Sequence, residues 1–127
     1  MRIKYIATIA VLIVSVAICF ATTHVIQTAV SHTESFANES LSRFAKGNSK
    51  GALESLARLS ERWNRRLPLL QMITSHDDLH DISLQTREAA TNLKSGDTEE
   101  FKRSMSLLQE ALDHLREQES VSLSNLF

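Results

Sequence analysis

Chain breakers are almost absent. There is one proline, Pro68, and there are three glycines, Gly47, Gly51 and Gly96, in 127 residues. So few turn-makers exclude the many tight turns that a β-sandwich or barrel requires. No stretch alternates apolar and polar residues for long enough to form a strand. The single cysteine, Cys19, excludes an intramolecular disulfide framework, so the fold must hold by packing alone. Aromatic residues are sparse, and no basic stripe is interleaved with them, so nucleic-acid binding is not expected. Glycine-rich phosphate loops, paired cysteines and a nucleophile elbow are also missing. An enzyme is therefore not expected, and neither is a cofactor.

Charge is missing from one long stretch. No charged side chain occurs between Lys4 and Glu34, a gap of 29 residues. A bilayer core about 30 Å thick takes roughly 20 helical residues, and Tyr5 to about His24 supplies them. Arg2 and Lys4 precede the segment, which favours a cytoplasmic N-terminus with the rest outside the cell membrane. A cleaved signal peptide would share the basic start and apolar core, with Cys19-Phe20-Ala21 as a tolerable cleavage site. A lipoprotein signal would need a small residue before Cys19, where Ile18 stands. An uncleaved anchor best explains why Ile26, Ala29, Val30, Ala37, Leu41 and Phe44 continue the pattern near helical spacing. The expected organisation is a short cytoplasmic stretch at 1–4, an anchor at 5–25, a helical bundle at 26–119 and an apolar tail at 120–127.

The apolar spacing divides the chain into four helical segments, the expected fold being an all-α antiparallel bundle of three to four helices. The first ends at about Ala45, before Gly47-Asn48-Ser49. The second carries Ala52, Leu56, Leu59, Trp63, Leu67 and Leu70 on one stripe, with Pro68 expected to kink it or end it near Leu67. The third opens at Ser75-His76-Asp77-Asp78, Ser75 being the cap candidate, and has a thin inner face of Leu79, Ile82, Thr86, Ala89 and Leu93. The fourth starts at Asp97, with capping-box spacing to Glu100, and repeats Phe101, Met105, Leu108, Leu112 and Leu115 at bundle intervals. Ser120 to Phe127 is expected to be extended or turn-like. At an offset of 49, Gly47-Asn48-Ser49 matches Gly96-Asp97-Thr98, and Leu56, Leu59, Glu61 and Trp63 match Met105, Leu108, Glu110 and Leu112. Two helical hairpins of similar build would produce such an echo.

Beneath a net charge of −1 lies an asymmetry. Glu34 to Arg66 has seven Lys/Arg against four Asp/Glu, whereas Leu67 to Phe127 has five against eleven. A basic first part is thus expected to pack beside an acidic second part. His76-Asp77-Asp78-Leu79-His80-Asp81 is the densest cluster of potential metal ligands. His76 and His80, and Asp77 and Asp81, are each four apart and share a helix side. The simpler expectation is no metal: the acids complement the helix dipole, and the histidines are solvated. Arg62, Arg65 and Arg66 beside Trp63 could face an anionic partner or lipid headgroups, although a Trp on an apolar stripe is more often core. In the tail, Leu126 and Phe127 are candidates either for docking against Thr86, Ala89 and Ala90 or for holding a partner.

The order of landmarks resembles a family of small bacterial proteins of unknown function, found mainly in Firmicutes. The matching pieces are the anchor, Ala52-Leu53-Glu54-Ser55-Leu56 running on to Trp63, His76-Asp77-Asp78-Leu79, and the Leu123-Ser124-Asn125-Leu126-Phe127 ending. The chain departs from that family in having His80 where an acidic residue is usual. The resemblance implies architecture and location rather than catalysis. The function expected is that of a membrane-tethered, non-enzymatic domain that binds or stabilises another envelope protein, with the lipid bilayer as its second partner. A ligand- or metal-sensing bundle using residues 76–81 is the alternative.

Overall fold

With no proline or glycine before Gly47, nothing interrupts the first helix, and α1 runs unbroken over Arg2–Ala45. Its 44 residues span about 66 Å at 1.5 Å per residue. The computed structural model describes residues 1–74 and 76–126, and the side chains among them up to residue 120. Three further helices follow: α2 (Ser49–Ile73), α3 (His76–Lys94) and α4 (Thr98–Leu126). Helix α1 packs against α2 and α4, and α3 packs against the same two, so the four helices form a ring of antiparallel neighbours. The apolar N-terminal half of α1 stands outside this ring. Leu12, Ile13 and Val14 are more than half exposed, and the segment is long and apolar enough to cross a membrane.

From Ile26 onward α1 changes character without changing course. Ile26, Ala29, Val30, Thr33, Ala37 and Ser40 are buried at intervals of three and four, forming one narrow face against the other helices. The core is completed by Leu56, Leu59, Trp63 and Leu70 from α2, Leu79 and Ile82 from α3, and Phe101, Met105, Leu108, Leu112 and Leu115 from α4. Trp63 is core: its ring is 2% exposed and its Nε1–H donates to Ser83 Oγ at 2.8 Å. That bond satisfies the one polar atom an indole brings into an apolar interior.

The echo in the sequence is visible as two equivalent hairpins, α1–α2 and α3–α4. At the first turn Asn48 N donates to Arg43 O at 2.9 Å and Gly47 N to Phe44 O at 3.0 Å. At the second, Asp97 N donates to Asn92 O at 2.9 Å and Gly96 N to Leu93 O at 3.3 Å. Both are Schellman turns, and both glycines have positive φ, +80° at Gly47 and +79° at Gly96. Each turn then caps the next helix: Asn48 Oδ1 accepts from Gly51 N, and Asp97 Oδ1 from Glu100 N. Adding 49 to the buried Ala29, Val30, Thr33, Ala37 and Ser40 gives Asp78, Leu79, Ile82, Thr86 and Ala89, all buried. Ala52, Ser55, Leu56, Leu59 and Trp63 likewise give Phe101, Ser104, Met105, Leu108 and Leu112.

Three expectations are corrected. Pro68 does not end α2, which continues to Ile73. Pro68 and Asn64, whose carbonyl loses its helical partner, are both exposed, so water can satisfy that group, while buried Leu70 holds the following turn in place. Residues 120–126 are not an extended tail, because α4 runs through them to Leu126. No glycine or proline follows Gly96, so the helix meets no breaker and continues to satisfy its backbone groups. The charge asymmetry does not become a basic-against-acidic seam. Among the described residues the ion pair joining the hairpins runs the other way, from Arg116 of α4 to Glu34 of α1. Arg43 and Arg65 instead pair with Glu39 and Glu61 one turn away on their own helices.

Candidate functional site

Three surfaces collect the candidate side chains among the described residues, and the helical register decides which residues each holds. The first is the outer face of α2. Arg62, Arg65, Arg66, Leu69 and Met72 stand at i, i+3, i+4, i+7 and i+10, so they form a single strip. The Arg62 guanidinium lies 5.4 Å from the centroid of the Phe36 ring, a cation–π placement. Arg66 Nη2 donates to His32 Nδ1 at 2.7 Å, and Arg65 Nη2 donates to Glu61 Oε1 at 2.6 Å. These contacts hold the three arginines against the first hairpin. Below them Leu69 is 50% and Met72 82% exposed, the largest exposures of big apolar side chains beyond the apolar N-terminal segment among the described residues. Because Arg66 is level with His32 and α2 runs antiparallel to α1, Met72 lies level with about Ile26, where the exposed span begins.

The second surface is a cleft of about 330 Å³ between α3 and α4, lined by Asp78, Asp81, Gln85, Glu110, His114 and neighbouring apolar groups. His114 Nδ1 donates to Asp78 Oδ1 at 2.8 Å. Asp78 Oδ2 and Gln85 Oε1 are enclosed and have no hydrogen-bond partner among the described residues. The third surface is a second cleft, of about 320 Å³, which opens between α2 and α3 and is lined by Leu67, Gln71, His76, Leu79, His80 and Ser83.

The hexapeptide of potential ligands is therefore split. His76 and His80 line the α2–α3 cleft, Asp81 lines the α3–α4 cleft, and Asp77 lines neither. Among the described residues no group of three or more His, Cys, Asp or Glu side chains could hold a metal ion. The i, i+4 spacings place each like pair on one side of α3, but they do not bring the His pair and the Asp pair together. The Asp78–His114 contact was missed, because its partners lie 36 residues apart and meet only once α3 and α4 are neighbours. A signal existed: Asp78 is where the apolar stripe of α3 carries a carboxylate. Ser75 and Phe127 lie outside the described residues, as do the side chains of 121–126, including Leu126. The backbone of α4 nevertheless leads away from Ala89 and Ala90. Asn92 meets Ser104, so some 22 residues of α4, about 33 Å, separate that level from Leu126.

A membrane-length helix that enters an up-and-down bundle of two matched hairpins defines the class: a small all-helical domain on an apolar helix. The chain belongs to the family described as DUF4363, a domain of unknown function, which matches residues 20–126. No curated protein and no solved structure matches it.

Proposed function

We propose that the protein is a membrane-tethered bundle that binds or stabilises another envelope protein and performs no catalysis. The span would be anchored at residues 5–25, with the N-terminus cytoplasmic and the bundle outside. The observation carrying this reading is the continuity of α1, exposed and apolar up to Phe20 and buried in the bundle from Ile26, with no break between. A rigid mount of this kind holds a binding face at fixed height above a bilayer and raises its local concentration near membrane partners. The Arg62–Met72 strip is the face offered: basic where it is farther from the span, apolar where it is nearer.

Photocrosslinking in native membranes tests the assignment. A photoreactive residue at Arg65 or Leu69 should produce one discrete protein adduct, and the same residue at exposed Glu88 on α3 should not. Equal adducts from both faces, or none from the strip, would discard it. Topology is tested separately in a Cys19→Ser background. Cysteine at Glu117 should react with an impermeant maleimide in intact cells; reaction only after permeabilisation would reverse the orientation, and a mature chain beginning at Thr22 would remove the anchor. A second reading, a ligand-sensing bundle, draws support from the α3–α4 cleft beside residues 76–81.

A further inference from the structure

Asp78 is an expensive residue for the place it occupies. It is 6% exposed, its side chain 9%, and a carboxylate taken that far from water costs several kcal/mol unless its oxygens are met by donors. His114 meets Oδ1, but Oδ2 meets no donor among the described residues. The fold itself does not need the group, because the equivalent position in the first hairpin is Ala29, 1% exposed and equally well packed. Nor does the start of α3 need it, because Asp77 in the same turn already complements the helix dipole from an exposed position. The unmet atoms around the cleft are all of one kind. Asp78 Oδ2 and Gln85 Oε1 are acceptors, and Asp81 and Glu110 line the same cleft with further carboxylates. No lysine or arginine lines it.

We propose that the α3–α4 cleft is a binding site for a small organic cation, with an ammonium or guanidinium head donating to Asp78 Oδ2 and Gln85 Oε1. An ammonium has three donors and a guanidinium five, and neither has an acceptor, which suits a site whose open valences are acceptors alone. An anion is excluded by the carboxylates. A volume of about 330 Å³ suits a molecule of small-metabolite size. His114, 57% exposed at its side chain, is the movable wall: its imidazole can swing outward without disturbing the core and open the way to Oδ2. Asp81 and Glu110, both exposed, then draw the charge toward the opening.

The test uses the full chain in detergent micelles at about 0.15 M salt, titrated calorimetrically with agmatine and putrescine, and in parallel with calcium and glutarate. At least one amine should bind saturably, and glutarate should not. Asp78→Asn, which keeps the side-chain shape, should weaken binding about tenfold or more. Glu110→Gln, on an exposed side chain that the core does not use, should weaken it by a smaller factor while the thermal midpoint stays put. The proposal is overturned if neither amine binds up to about 10 mM, if calcium binds in their place, or if amine binding is the same in both variants.

Discussion

The first hairpin and the second bury matching positions, yet they place different chemistry there. In α1–α2 the position of Ala29 is filled by a methyl group, and the outer surface carries arginines braced on Phe36 and His32. In α3–α4 the same position is Asp78, and the outer surface opens into an acidic cleft. One scaffold thus serves two purposes: the first hairpin continues the apolar helix, and the second holds a polar recess. Residues shared by both hairpins serve the packing, and residues that differ are the ones to examine for function.

The comparison breaks most severely at the largest side chain. Trp63→Ala should cost about 3–5 kcal/mol, and Leu112→Ala, its counterpart in α4, about 2–5 kcal/mol. Circular dichroism of denaturant unfolding in micelles would compare them. Trp63 has the added bond to Ser83, so an effect smaller than that of Leu112 would show that the two hairpins are not joined through it. Exchanging chemistry between hairpins comes next. Ala29→Asp should cost about 3 kcal/mol, because it buries a charge with no imidazole to meet it. If its unfolding curve overlays that of the parent, the two positions do not differ in environment.

Smaller effects sharpen the equivalence. Gly47→Ala and Gly96→Ala each force an alanine into the left-handed region, where about 1–2 kcal/mol is lost. The two midpoints should fall by similar amounts; a clear inequality would mean that the turns carry unequal loads. The smallest effect is expected at Asp78→Ala, within about 1 kcal/mol of the parent, since loss of the His114 contact opposes relief of a buried carboxylate. A loss several times larger would make Asp78 a structural group after all.

Much of this was legible in the sequence, and the reason is locality. The caps at Asn48 and Asp97, the turns at Gly47 and Gly96, and the stripe from Phe101 to Leu115 depend on neighbours within a few residues. The 49-residue echo was legible too, because a glycine turn and its cap recur together. What escaped were features set by which helices sit side by side. Spacing on α3 alone paired His76 with His80 and Asp77 with Asp81, but only the neighbouring helices decide that the two histidines line one cleft and Asp81 another. Charge totals suggested a seam, but pairing depends on register, and register put Arg116 opposite Glu34. Pro68 suggested a kink or a stop, and the stop does not occur, because an exposed proline with a buried leucine beyond it lets the helix run on to Ile73.

The uninterrupted α1 has a mechanical consequence. A helix without glycine or proline across its exit from the apolar stretch has no hinge there, so the bundle cannot tilt independently of the span. In a bilayer, span tilt is set by the match between apolar length and hydrocarbon thickness, and averages about 20°. If the apolar segment spans a bilayer as proposed, about 30 Å of bundle fixed to such a lever would move its far turns sideways by roughly 10 Å as the span swings from upright to that tilt. Bilayer thickness would then act as a dial on the orientation of the whole domain, with the Gly47 and Gly96 turns travelling farthest.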